Sequence, residues 1–158
     1  MKGALKLSVN LAPLKKMIKK DPDNWKKAAK IGAIQFLTWA NTGSSKDPSK
    51  PPIRFGVLRG SSSAFVGNEL VSVFQQDIKP GGKERPTPNK QHTAPVSTIT
   101  WGWNTAYAAK MHEWKGNWGP FTTQDGSAGA KWIEKHIASD KDTLFKVIAI
   151  EYKKVAGT

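Results

Sequence analysis

The sequence contains no cysteine among its 158 residues. Disulfide bonds and thiolate metal sites are therefore excluded, and this composition is typical of proteins made in a reducing compartment. No apolar run approaches the roughly 20 residues that a membrane-spanning helix needs, and the first residues contain no apolar stretch of signal-peptide length. We therefore expect no membrane among the partners of this protein.

Acidic residues are scarce: 12 Asp and Glu accompany 25 Lys and Arg, which gives a formal net charge of +13. The excess is concentrated in residues 1–40, with nine Lys and two Asp, whereas residues 96–129 have two basic and two acidic residues. A basic surface attracts nucleic acids and acidic proteins alike. Both partners stay open, although no zinc-finger, helix-turn-helix or aromatic RNA-binding motif is present.

Residue types used in catalysis occur here, but not in a known catalytic arrangement. His112-Glu113 resembles the start of a zinc-protease motif, yet the position four residues after His112 is Gly116, so the second His ligand is missing. Residues 56–60 have a glycine at each end but lack the Gly-Lys-Ser/Thr ending of a phosphate-binding loop. We therefore expect neither an enzyme nor a metal or other cofactor.

An amphipathic helix is predicted after residue 21. Asp21 suits the N-cap, Pro22 suits the first turn, and Gly43 suits the C-terminal end. Between them, apolar or small residues recur at spacings of three and four, which defines one face of a helix. These residues are Trp25, Ala28, Ala29, Gly32, Ala33, Phe36, Leu37 and Ala40.

The apolar surface of this helix is wider than one face, because Ile31, Ile34 and Trp39 lie beside it. Such width indicates either burial or contact with another subunit, and we expect burial. A shorter amphipathic helix is predicted at residues 11–18. The solvent-facing lysines of both helices form a predicted basic face that consists of Lys15, Lys16, Lys19, Lys20, Lys26 and Lys27.

Two predicted strands flank a long segment rich in Pro and Gly. Residues 64–76 are rich in β-formers, with a bulge or turn at Gly67-Asn68, and residues 96–103 alternate between two faces, so we expect an antiparallel pair. Residues 77–95 contain four prolines and few apolar residues. They predict a long mobile hairpin loop, or an arm that orders on a neighbour or near nucleic acid. Its basic residues are Lys79, Lys83, Arg85 and Lys90.

Helical patterns follow the second strand. A short helix is predicted at residues 105–114, a second helix is predicted to open at Ser127, and a last one at Asp140 or Asp142. Residues 144–152 also fit a strand, but a helix is favoured. The elements predict an α+β fold in which a small antiparallel sheet packs with several helices, within a single domain of residues 1–158.

Seven tryptophans are many for this length, and four of them lie within the near-neutral residues 96–129. Trp provides a large apolar area with one hydrogen-bond donor, which suits protein interfaces, base stacking and cores. The sequence alone leaves these three roles open.

Three stretches occur in an order that resembles a known family. The first is an alanine-rich helix followed by Pro52 and Gly56-Val57-Leu58-Arg59-Gly60-Ser61; the second is residues 101–108 followed by His112-Glu113; the third is residues 129–135. Their order and spacing, from about residue 10 to 155, are similar to those of the head–tail joining and tail-completion proteins of tailed bacteriophages, also described as minor capsid or neck proteins. The chain departs from the family pattern in having Phe55-Gly56 where Thr-Gly is usual, and in its long, Pro-rich residues 77–95.

The resemblance implies a structural protein of the virion neck or tail, made in the cytoplasm of the host bacterium. Copies would form a homo-oligomeric ring, sixfold or twelvefold, that joins the head or portal to the tail tube as a connector, completion protein or tail terminator. Implied partners are the protein itself, a portal, adaptor or stopper ring, the tail tube protein, and DNA passing through the lumen.

Within this interpretation the near-neutral aromatic residues form the subunit contact. The assigned residues are Trp101, Trp103, Tyr107, His112, Glu113, Trp114 and Trp118. Lys79, Lys83, Arg85 and Lys90 are assigned to a loop that faces the channel or a partner. The alternative interpretation is a basic nucleic-acid-binding protein.

Overall fold

The computed structural model describes residues 5–11, 14, 19–53, 56–76, 95 and 97–157. The elements in chain order are β1 (Leu5–Asn10), α1 (Pro22–Thr42), α2 (Val57–Gly60), β2 (Ser62–Val66), β3 (Glu69–Val73), β4 (Thr98–Trp103), α3 (Ala108–His112), α4 (Pro120–Gln124) and α5 (Trp132–Ala156). Within this part of the chain, a four-stranded antiparallel sheet packs with five helices, so the predicted α+β class is confirmed.

The sheet has the strand order β1-β4-β2-β3, and all three pairings are antiparallel. The predicted pairing is confirmed by β2 and β4, and Gly67-Asn68 forms the turn between β2 and β3. Because side chains alternate along a strand, Ile99, Trp101 and Trp103 of β4 share one face. This face forms the core of the protein together with α1 and α5.

Helix α1 confirms the prediction from its apolar period. The Asp21 carboxylate accepts a hydrogen bond from the backbone N–H of Asn24 at 3.2 Å, and the helix ends at Gly43, whose φ of +90° favours glycine. All eight residues of the predicted apolar face are buried. The small residues on this face allow α1 to approach both the sheet and α5.

The last helix differs from the prediction. Residues 132–156 form one continuous helix, so the predicted starts at Ser127 and at Asp140 or Asp142 are wrong. Asp140 is instead buried in mid-helix, where side chains from outside the helix and within it bind its carboxylate. The preference for helix over strand at residues 144–152 is confirmed.

Other boundaries also differ. The predicted helix at residues 105–114 is limited to α3, because residues 105–107 form a turn and the chain leaves the helix at Glu113. Strand β1 was not predicted, and its partner β4 lies far along the chain. Most of the predicted helix at residues 11–18, and all of the predicted loop except Pro95, lie outside the described residues. Among the described residues, no helix has both the length and the apolar content required to cross a bilayer.

Candidate interaction surface

Residues 104–131, called here the aromatic segment, connect β4 to α5. The backbone N–H of Lys131 donates to the carbonyl of His112 at 2.8 Å, which closes the segment on itself. The Thr122 hydroxyl accepts from the N–H of Ile53 at 2.9 Å and donates to its carbonyl at 3.0 Å. Lys50 exchanges backbone hydrogen bonds with Ser127 and Gly129. These contacts fix the aromatic segment against residues 43–53, which follow α1 and are called here the connector.

The Gly-Val-Leu-Arg-Gly-Ser turn contributes to the same support. Arg59 is buried and donates from Nε and Nη2 to the carbonyl of Pro51, at 3.0 and 2.7 Å, and from Nη2 to Asp125 at 3.5 Å. Burial lowers the pKa of Arg59, and the nearby Asp125 carboxylate opposes that shift. Ser61 accepts from the N–H of Asn104 at 3.1 Å. Both motif residues therefore position the aromatic segment from inside the protein.

Two of the tryptophans assigned to the subunit contact lie in the core. Trp101 and Trp103 have no exposed surface. The indole N–H of Trp101 donates to the carbonyl of Ala33 at 2.9 Å, and that of Trp103 donates to the side-chain oxygen of Asn41 at 3.1 Å. Because a neighbouring subunit cannot reach these side chains, their assignment to a contact surface is wrong.

His112 is also withdrawn from the surface, since only 4% of the residue is exposed. Its ring packs edge-on against Trp132, with centroids 4.9 Å apart, and its Nδ1 lies 3.0 Å from Glu113 Oε1. The Glu113 carboxylate, in contrast, is exposed. His112 therefore packs inside the end of α3, and Glu113 faces solvent beside it.

An ionic cluster marks the end of the aromatic segment. The Lys131 ammonium donates to the carboxylates of Glu113 and Glu134, the latter at 3.1 Å. The hydrogen bond from Lys131, and then that from His112, lowers the pKa of Glu113, and the same cluster raises the pKa of Lys131. Lys131 has a φ of +59°, an uncommon value for a residue with a side chain. The cluster thus joins α3 to the start of α5 on an exposed surface.

His112, Glu113 and Glu134 are the described residues best placed to hold a metal, with potential ligand atoms within 4.8 Å of one another. However, the Lys131 ammonium already bridges the two carboxylates, and the His112 nitrogen nearest to them is bonded to Glu113. A metal would have to displace a resident cation. We therefore interpret the group as an ion-pair cluster.

The remaining assigned aromatics do reach the surface. Tyr107 is 43% exposed, and Trp114 and Trp118 are half-buried. The two indole rings pack together with centroids 6.3 Å apart, and Lys110 Nζ lies 5.6 Å from the Trp114 ring centroid. Stacking and cation–π contacts of this kind hold aromatic rings in defined positions. Tyr107, Trp114 and Trp118 are called here the aromatic surface.

A glycine allows one of the two indoles to lie close to the backbone. A Cβ atom at Gly116 would stand 2.5 Å from Trp114 Cζ2 and would clash with the ring, whereas a Cβ atom at Gly129 would be in ordinary contact, 3.6 Å from Trp118 Nε1. The Trp114 indole N–H donates to the carbonyl of Asn117 at 3.2 Å. The ring of Trp114 is therefore folded back over its own loop rather than extended into solvent.

The predicted basic face is only partly described. Lys19, Lys20 and Lys27 are exposed. Lys26 instead forms an ion pair with Glu69 of β3, with Nζ 2.7 Å from Oε2, and Lys30 Nζ lies 2.7 Å from Oε1 of the same carboxylate. These two hydrogen bonds lower the pKa of Glu69 to about 2. Lys15, Lys16, Lys79, Lys83, Arg85 and Lys90 lie outside the described residues.

Two isoleucines predicted to be buried are exposed. Ile31 is 40% and Ile34 is 43% exposed, on the side of α1 away from the core, while Trp39 is half-buried and packs against the core. The burial prediction is therefore wrong for Ile31 and Ile34. Helix α5 and the sheet pack against the opposite side of α1, where the small residues of this helix lie.

A buried polar network was not predicted from the sequence. His136 contacts Asp140 Oδ2 through Nδ1 and the carbonyl of Ser49 through Nε2, both at 2.6 Å. Ser44 donates to the same Asp140 carboxylate at 2.9 Å. The i,i+4 spacing of His136 and Asp140 was the available sequence signal. The network attaches the connector after α1 to the middle of α5.

Comparison of the chain with protein-family models, with curated proteins and with solved structures finds no match.

Proposed function

We propose that this chain is a structural ring subunit of the neck of a tailed bacteriophage, which joins the head or portal side of the virion to the tail tube. The proposal is carried by the aromatic surface, in which Tyr107 is exposed and Trp114 and Trp118 are half-buried, and which lies in the near-neutral part of a chain with a net charge of +13. The ordered motifs described in the sequence support it, and the α+β fold agrees with it.

The charge distribution explains why this surface suits contact between copies. Identical molecules with a large positive charge repel each other, and repulsion is weakest where the local charge is balanced. Residues 96–129 carry two basic and two acidic residues, and they contain the aromatic rings. Aromatic residues contribute most strongly to interface cores, from which charged residues are depleted.

The proposal assigns the other surfaces to neighbouring components. A ring subunit contacts copies of itself laterally, and it contacts a portal, adaptor or stopper ring on one side and the tail tube protein on the other. The exposed lysines Lys19, Lys20 and Lys27 suit an acidic neighbour or the DNA that passes through the lumen. Virion neck location and synthesis in the bacterial cytoplasm belong to the same proposal.

Light scattering coupled to size-exclusion chromatography tests the lateral contact. We expect concentrated protein to form oligomers, and we expect Trp114→Ala to abolish them while the monomer stays folded by circular dichroism. Ile150→Ala is the matched control, because Ile150 is 53% exposed on α5 and lies outside the aromatic surface. Electron microscopy of a native particle would locate the chain directly.

Nucleic-acid binding is the second candidate, favoured by the +13 charge and by the exposed lysines Lys19 and Lys20, just before α1, and Lys27 within it. It predicts tight binding of duplex or single-stranded DNA with an affinity that falls by about 10³-fold or more between about 50 and about 200 mM salt. The ring proposal predicts weak DNA binding. A protein that stays monomeric, binds no virion component and binds DNA tightly would refute the ring proposal.

A further inference from the structure

His136 lies within α5 with no exposed surface, and both nitrogens of its ring face oxygen atoms. Nδ1 lies 2.6 Å from Asp140 Oδ2, and Nε2 lies 2.6 Å from the carbonyl oxygen of Ser49 in the connector. A carbonyl oxygen only accepts hydrogen bonds, so Nε2 donates. An ionised carboxylate also only accepts, so Nδ1 donates as well. A ring that donates from both nitrogens is an imidazolium, which carries a positive charge.

The other contacts of Asp140 suit an ionised carboxylate. The hydroxyl of Ser44 lies 2.9 Å from each of its two oxygens and donates to the carboxylate. The ammonium group of Lys46, also in the connector, is exposed and donates to the Thr143 hydroxyl at 2.7 Å. A buried carboxylate without a positive partner is strongly unfavourable. The imidazolium of His136 is the group that balances this charge.

A second carboxylate, that of Asp47, approaches the same ring from the connector. It accepts from the backbone N–H of Ser49 at 2.9 Å and from the Ser139 hydroxyl at 3.0 Å. Burial raises the pKa of Asp47, but hydrogen bonds from Ser49 and Ser139 and the positive charge of His136 lower it, and the net shift is downward. From α1 the ring meets an apolar group, the Phe36 ring, with centroids 6.3 Å apart.

We infer that His136 is a proton-dependent link between α5 and the connector, closed while the ring carries both protons and opened when one proton passes to solvent at alkaline pH. A neutral ring has a single N–H, which can donate to Asp140 or to the Ser49 carbonyl but not to both. The other oxygen then faces a nitrogen lone pair in a buried position, which is unfavourable. This inference goes beyond the ring proposal and does not depend on it.

Opening of the link reaches the aromatic segment through the connector. Lys50 directly follows Ser49, and it exchanges backbone hydrogen bonds with Ser127 and Gly129 of the aromatic segment. The same short stretch of the connector therefore binds the ring of His136 and the aromatic segment. We expect the carbonyl carbon resonances of Lys50 and Ser127 to shift at the same pH at which the ring loses its proton.

Nitrogen-15 NMR of the imidazole ring in the unmodified chain tests the protonation state. At about pH 7, where an ordinary histidine is mostly neutral, we expect both nitrogens of His136 to have the chemical shift of a protonated ring nitrogen. Raising the pH should move one of them to the unprotonated position, together with the two carbonyl resonances. An unprotonated nitrogen at about pH 7 would overturn the inference. So would a ring that keeps both protons until the protein unfolds.

Urea unfolding of His136→Gln gives a second test, because the two protonation states predict opposite signs. For an imidazolium, the unmodified chain exceeds the variant in urea midpoint most at about pH 6 and below, and the difference shrinks as the pH rises. For a buried neutral ring, the difference shrinks as the pH falls, which would overturn the inference.

His112→Gln is the matched control for this measurement. His112 is also buried, but among the described residues only its Nδ1 has a partner, so a single N–H satisfies the ring. We expect its difference from the unmodified chain not to shrink as the pH rises. The same alkaline loss in both comparisons would show that it does not come from the link at His136. The NMR test decides the inference even if His136→Gln does not fold.

Discussion

Gly32 and Ile148 meet where α1 crosses α5, and a Cβ atom at Gly32 would stand 2.5 Å from Ile148 Cγ1. Both residues are buried, and Leu144 Cδ1 lies on the same side at 3.3 Å from that position. The absence of a side chain at residue 32 therefore sets how closely the two longest helices of the described chain approach each other.

Substituting this glycine should separate the two helices. We expect Gly32→Ala to destabilise the protein by about 1–3 kcal/mol, because overpacking a buried contact outweighs the better helix propensity of Ala. Urea unfolding followed by circular dichroism measures the difference. Gly126→Ala is the control, since no atom lies within 4 Å of a Cβ there. A neutral or stabilising effect of Gly32→Ala would contradict this packing.

The network around Asp140 predicts that two acidic residues of α5, Asp140 and Asp142, contribute very differently to stability. Asp140→Ala leaves His136 and Ser44 without their shared buried acceptor. We expect a loss of about 3–5 kcal/mol in the free energy of unfolding, as for other buried pairs that lose one partner. Asp142→Ala, two residues along the same helix and exposed, should change stability by no more than about 0.5 kcal/mol. Thermal unfolding of the two variants side by side makes the comparison, and similar losses would count against the network.

The salt bridges from Lys26 and Lys30 of α1 to Glu69 of β3 predict that the Glu69 carboxyl group titrates at low pH. Hydrogen bonds from Lys26 and Lys30 lower the pKa of Glu69 from 4.5 to about 2. Because the folded-state pKa is lowered, the stabilisation is present above pH 4.5 and is lost as the pH falls through about 2. The group is exposed, so we expect less than about 1 kcal/mol.

Carbon-detected NMR of the Glu69 carboxyl group measures this titration. The double change Lys26→Gln and Lys30→Gln should return the pKa of Glu69 toward its ordinary value. Lys27→Gln is the control, because Lys27 lies between them in sequence but on the outer side of α1. An unmodified chain in which Glu69 titrates near 4.5 would show that the bridge does not form in solution.

We expect a substitution at Gly116 to cause a local change in the position of the Trp114 ring, with little effect on stability. A Cβ atom there would stand 2.5 Å from Trp114 Cζ2, and the half-buried ring of Trp114 is able to move outward. We therefore expect Gly116→Ala to shift the Trp114 indole N–H resonance, since the hydrogen bond to Asn117 is lost, and to weaken self-association. Gly119→Ala, where a Cβ meets no atom within 4 Å, is the control. An unchanged indole resonance would contradict the folded-back position of the ring.

Helix α1 could be predicted from its sequence because local signals and tertiary packing agree there. The Asp21 cap, the apolar period and Gly43 all indicate the same helix, and the sheet and α5 bury the predicted face. Ile31 and Ile34 were placed wrongly because apolarity alone does not indicate which side of a helix a neighbouring element covers.

Helix α5 shows the opposite case. Asp140 and Asp142 resemble N-cap residues, yet the partner that binds Asp140 from outside the helix is Ser44, 96 positions earlier in the chain. A contact over that distance leaves no local signal. The start at Ser127 failed for a similar reason, because Lys50 hydrogen-bonds to Ser127 and Gly129 and holds them in a non-helical connection.

The candidate surface was predictable only in part. Tyr107, Trp114 and Trp118 reach the surface. Trp101 and Trp103 instead alternate with Thr100 and Gly102 on a central strand, and their indole N–H groups donate to partners on α1. Because the four tryptophans lie close together in the sequence, the predicted subunit contact included both core and surface tryptophans. Strand alternation separates them, since Ile99, Trp101 and Trp103 share the face that forms the core.

The position of β4 has a consequence for how the protein is made. The neighbour of β1 in the sheet is β4, and Asn10 pairs with Thr98, which lies 88 positions later in the chain. The two strands cannot pair until both have been synthesised. During translation the N-terminal strand leaves the ribosome long before the strand that completes its hydrogen bonds. The sheet therefore closes late and through distant pairings, which makes folding slow relative to that of a helical bundle of similar size.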